Sequence, residues 1–151
     1  MVQVSKKDKQ ILWSKGLVER FNLMASIRIS RPTKCFLWQV ETLSIEQLRL
    51  AFQVVATYVD DSHLIRTLLR CCECGQLYFH EFYEEIDWTE GKDAQYSTWI
   101  PIDDAESGEE LSKMSPLALL VYQSIRYDYP MRADEPRGPY WSCPRDPSRA
   151  T

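Results

Sequence analysis

Cys71-Cys72-Glu73-Cys74-Gly75 places two thiols at the CxxC spacing with a glycine directly after the second. Two cysteines so spaced carry both sulfurs to one side of a tight turn, where they grip a single soft cation, and the glycine takes the positive φ that the turn demands. Zinc is the cation such a turn suits, and a structural zinc takes four protein ligands. No second CxxC or HxxxH pair follows at a standard distance, so the remaining ligands must be recruited from Cys35, Cys143, His63 or His80. Cys143, in Trp141-Ser142-Cys143-Pro144, is the first choice, because its capture would tie a proline-rich tail to the body. Cys35 then completes the set Cys71, Cys74, Cys143, Cys35, expected around one structural zinc. Cys72 points elsewhere and is expected to act as a small hydrophobe.

Over about a dozen residues this stretch resembles one half of a zinc ribbon, a knuckle between two strands; the second half is missing, so nothing that zinc ribbons do carries over. Thiol redox chemistry needs its first cysteine at a helix N-terminus, where the dipole lowers the thiol pKa. Here a glycine and an aromatic run follow, which argues against it.

The second chemical feature is charge. The 151 residues carry a net charge of −4, yet half of the 22 acids fall between Glu81 and Glu110, where Lys92 is the single base. Residues 1–50 hold nine Lys and Arg against four acids. An acidic face beside weakly basic flanks attracts a basic partner and repels phosphate. Glu81, Glu84, Glu85, Asp87, Trp88, Glu90 and Asp93 are the expected partner-binding residues, with Tyr96 and Trp99 as further aromatic anchors if they are exposed; packing of Trp99 in the core is the equal alternative. His80 among these acids raises the thought of a metal-dependent hydrolase. On a strand, however, His80 and Glu84 share one face while Glu81 and Glu85 share the other, which splits the cluster. With two histidines and no GxSxG, HExxH, P-loop or GxGxxG, the expectation is a protein that is not an enzyme.

The elements that must position these groups read as α+β. A helical stripe is expected over Ser5 to Phe21, and a hairpin from Leu23 to Ser30 and from Cys35 to Val40. Ser44 and Gln47 form a capping-box signature opening a helix to about Val59, and Asp60 to Ser62 would cap a short helix to Leu68. Strands are expected over Gln76 to Ile86, aromatic on both faces, and over Gln95 to Ile102. A polar helix or loop follows, then a helix from Pro116 to Arg126. Together these predict a small antiparallel meander with a CxxCG knuckle turn, packed against three to four helices. Residues 1–129 would form one domain and 130–151 an extended proline-rich tail, since five of the eight prolines lie there. Apolar runs too short to span a bilayer, and a start that does not read as a secretory signal, suggest a cytoplasmic protein with reduced thiols.

The function expected from these residues is binding without catalysis, in the manner of an inhibitor or immunity protein whose acidic surface covers a basic nucleic-acid enzyme. The alternative is a zinc-knuckle nucleic-acid-binding or regulatory module that uses the basic N-terminal third. Against it, the aromatic strand carries Glu81, Glu84 and Glu85 with no interleaved base.

Overall fold

A chain that doubles back at the Cys71–Gly75 turn brings Arg70 opposite Leu77, and this pairing organises everything around it. The computed structural model describes residues 27–144. Within them, β1 (Phe52–Asp60), β2 (Leu64–Cys71), β3 (Leu77–Glu85), β4 (Ala94–Ile102), β5 (Ser124–Tyr129) and β6 (Arg137–Ser142) form one antiparallel sheet in sequential order. Sequential strands are joined by short turns except between β4 and β5, where residues 103–123 intervene, and every second connection falls at the same end of the sheet.

Both faces are covered. Period-2 alternation sends Tyr78 to one side and Phe79 to the other, and both side chains are fully buried. On the first face Leu69, Cys71, Tyr78, Trp99 and Ile125 lie under Cys35, Leu37, Trp38, Leu43 and Leu48. On the second, Leu68, Phe79, Ile100 and Ile102 lie under Leu111 and Leu119. Burial on both sides is why the strand expected over Gln76 to Ile86 carries aromatics on both faces.

The expected helical layer does not form. Among the described residues there are two α-helices of seven residues each, α1 (Ile45–Ala51) and α2 (Ala105–Leu111), instead of three to four. The capping box at α1 is present, with Gln47 N–H donating to Ser44 Oγ at 3.1 Å and Ser44 N–H to Gln47 Oε1 at 2.9 Å. The helix then stops at Ala51, because Phe52 to Val59 contains four β-branched residues and two aromatics and gains a pairing partner in β2. The same override turns the expected helix before Leu68 into β2 and the end of the Pro116 helix into β5; only a 3-10 turn, Ala118–Val121, survives there. Cys35 to Val40 is a 3-10 turn, Phe36–Trp38, and Ile27 to Ser30 is irregular. The Ser5 to Phe21 helix and Leu23 to Ser26 lie outside the described residues. Part of the proline-rich segment joins the sheet as β6, anchored where Trp141 Nε1 donates to the Leu37 carbonyl at 2.9 Å. No described helix is long and apolar enough to cross a membrane.

Candidate metal centre and the acidic end of the sheet

The knuckle turn is built locally. Gly75 has φ +79°, its N–H donates to the Cys71 carbonyl at 2.9 Å, and Cys71 N–H donates to the Gln76 carbonyl at 2.8 Å. This returns Cys74 over the end of β2, beside Cys71. The segment that covers the first face then lowers Cys35 onto the same spot, so the Sγ atoms of Cys35, Cys71 and Cys74 all lie within 4.8 Å of one another. Tetrahedral zinc with Zn–S bonds of about 2.3 Å sets its sulfurs about 3.8 Å apart, so these three thiols can hold a metal ion after a small contraction. Cys35 and Cys71 are buried and Cys74 is exposed, as is Cys72, which is therefore not the small core hydrophobe expected. Burial pushes the Cys35 thiol up to about 12, although its sulfur accepts from Tyr78 Oη at 3.0 Å and from the Leu37 N–H. Donors around a sulfur are the surroundings a metal thiolate takes, and a cation supplies the charge that burial otherwise denies.

Cys143 does not join the three. It follows β6, four strands from Cys71 at the end of β2, or ~19 Å at the usual strand spacing. His63 sits in the β1–β2 turn at the other end of the sheet, where its Nδ1 lies 3.5 Å from Glu84. His80 is stacked on Trp99 with ring centroids 4.8 Å apart. Its Nε2 is buried without a partner among the described residues, and burial lowers its pKa to about 4. Trp99 is thus a core residue and not an exposed anchor.

The acids of the Glu81–Glu110 run do not share one face. β4 carries the chain from one end of the sheet to the other, a span of ~30 Å over its nine residues, and so divides them. Asp103 to Glu110 lie by the cysteine end, where Asp104 caps α2 by accepting from Ser107 N–H at 2.8 Å and Glu110 pairs with Lys113 at 3.0 Å. Glu81 is buried. Its Oε2 accepts from Arg66 Nε at 2.8 Å, and desolvation raises its pKa against the lowering by Arg66 and Arg126. The remaining partner-binding candidates, Glu84, Glu85, Asp87, Trp88, Glu90 and Asp93, stay together at the β3–β4 turn.

At that end the meander adds what the linear chain separates. The β1–β2 turn brings Asp60 and Asp61, and the β5–β6 turn brings Asp134 and Glu135, to the same end of the sheet as Glu84, Glu85, Asp87, Glu90 and Asp93; among the described residues the bases there are Lys92, Arg132 and Arg137. The β3–β4 turn is ordered by its own acids. Thr89 and Glu90 N–H groups donate to Asp87 Oδ1 at 3.0 and 3.2 Å, which holds the Asp87 carboxyl below its ordinary range, and Asp87 N–H donates to Asp93 Oδ1 at 2.7 Å. Trp88, on this turn, is 89% exposed.

Sequence reading missed the pair Arg66–Glu81. The available signal was Arg66 inside Leu-Ile-Arg-Thr-Leu-Leu, a charge among apolar residues that must find a partner if the run is a strand. Comparison of the chain with family models, with curated proteins and with solved structures gave no match.

Proposed function

We propose that this is a non-catalytic binding protein that docks a basic macromolecule on the acidic end of its sheet, while a structural zinc with Cys35, Cys71 and Cys74 as three of its four ligands clamps the opposite end. The observation that carries the reading is Trp88, 89% exposed on an ordered turn, at the end of the sheet to which three separate turns bring acids. A large aromatic presented in this way is the residue type that dominates interface energetics, and the surrounding charge steers association and selects the partner's sign. An inhibitor or immunity-type protein facing a basic nucleic-acid enzyme fits this surface.

The docking test is affinity capture from the native source with the wild type and with a Trp88→Ala, Glu90→Lys variant. The expected partner is basic, is lost by the variant, and associates more slowly as salt rises. Capture of an acidic protein, equal capture by the variant, or salt-sensitive binding of nucleic acid in place of a protein would refute the reading.

Zinc is tested separately by metal analysis and by the thiolate-to-metal charge-transfer band after cobalt substitution. One metal per chain is expected, lost in Cys35→Ser and Cys74→Ser and retained in Cys143→Ser. Loss in Cys143→Ser, or no metal at all, would refute a three-cysteine zinc centre.

A further inference from the structure

Beside the acidic end, on the second face of the sheet, lies a cleft of about 510 Å³, within the size range of ligand sites. Its floor comes from Glu81, Thr98 and Arg126, the middle of a row of directly opposed residues that Arg66 and Tyr140 continue to either side. The charges in this row are matched internally. Arg66 pairs with Glu81, and Arg126 Nη2 donates to Asp128 at 3.1 Å, whose other oxygen accepts from Tyr140 Oη at 2.6 Å. Next along the face Tyr83 and Tyr96 stack with centroids 6.4 Å apart, and Glu85 follows at the rim. Glu85 is exposed and has no ion pair among the described residues, so it is the uncompensated charge of the cleft. The far wall is apolar: Leu117 is 77% and Leu120 43% exposed, held out by the Pro116 turn.

We infer that this cleft binds a peptide segment of the partner in which a lysine or arginine is flanked by apolar side chains. The cation would reach Glu85 across the tyrosine faces, which themselves attract positive charge, and the neighbouring apolar side chains would cover Leu117 and Leu120. The paired ions of this row give the cleft a charge-matched floor. The fit to a cation follows from Glu85 being the group left unmatched. The inference rests on the proposed basic partner and adds where one of its side chains would enter.

The test is a methyl and aromatic NMR titration with acetyl-Leu-Arg-Leu-amide, and with acetyl-Leu-Glu-Leu-amide as its charge-reversed control. The arginine peptide is expected to shift Leu117, Leu120, Tyr83 and Tyr96 signals with a dissociation constant on the order of 1 mM, and the glutamate peptide to shift none. Tyr96→Ala and the surface change Leu117→Ser should each weaken binding about tenfold, Leu117→Ser without disturbing the fold. Trp88→Ala with Glu90→Lys, outside the cleft, should leave the peptide's affinity within about twofold, so failure of macromolecular docking and failure of the cleft are read separately. Equal shifts from both peptides, absence of shifts at Leu117 and Leu120, or unchanged affinity in Leu117→Ser would overturn the inference.

Discussion

Replacing Glu81 by leucine removes one partner of an ion pair whose side chains are each 5% exposed. Arg66 then keeps one acceptor, the Ser112 carbonyl at 2.8 Å, while its Nε and Nη2 lose the carboxylate that compensates their charge. Breaking a buried pair on one side costs about 3–5 kcal/mol, and the surviving Ser112 bond puts this case near ~3. The companion change Arg66→Met, Glu81→Leu removes both charges and fills similar volume, so it should return to within about 1 kcal/mol of the wild type. Urea unfolding followed by tryptophan fluorescence reads both. With a slope of about 2 kcal/mol/M, the single variant's midpoint falls by roughly 1.5 M and the double variant recovers most of it. A single variant that loses under about 1 kcal/mol, or a double variant no better than the single, would refute the reasoning that compensation of charge, and not packing, is what Glu81 supplies.

Two further outcomes follow from buried groups. His80 is neutral in the fold, with a pKa lowered to about 4 from an ordinary value near 6.5; the unfolded chain therefore takes up a proton first as pH falls, and stability is lost between those values, by up to about 2–3 kcal/mol. His80→Phe, which keeps a ring against Trp99, should flatten the unfolding free energy between pH 6.5 and 4, and an unchanged slope would exclude this histidine. At Gly108 an added Cβ would meet Tyr58 Oη at 2.7 Å and Ile102 Cδ1 at 3.2 Å. Gly108→Ala should destabilise by about 1 kcal/mol in the wild type, and in a Tyr58→Phe background the helix preference for alanine, about 1 kcal/mol, should make it neutral or stabilising. Equal effects in both backgrounds, measured by thermal unfolding, would count against that contact.

What the sequence by itself determined is what short-range stereochemistry controls. The Cys71–Gly75 turn, the Ser44 capping box and the alternation of Leu77 to Glu85 all depend on residues within a few positions of each other, and each forms. Cys71 and Cys74 were therefore legible as a pair. Where helix and strand tendencies compete, as in Phe52 to Val59, the decision passes to pairing: β1 becomes a strand because β2 lies beside it, and periodicity carries no record of that neighbour. Long-range placement also decided that Cys35 meets the knuckle and Cys143 does not, that Glu81 is buried against Arg66, and that Asp60, Asp61, Asp134 and Glu135 join the acids of the β3–β4 turn. These are consequences of strand order and register, which sum over the whole sheet. A local run of residues fixes its own turn, but only the assembled meander fixes which turns share an end.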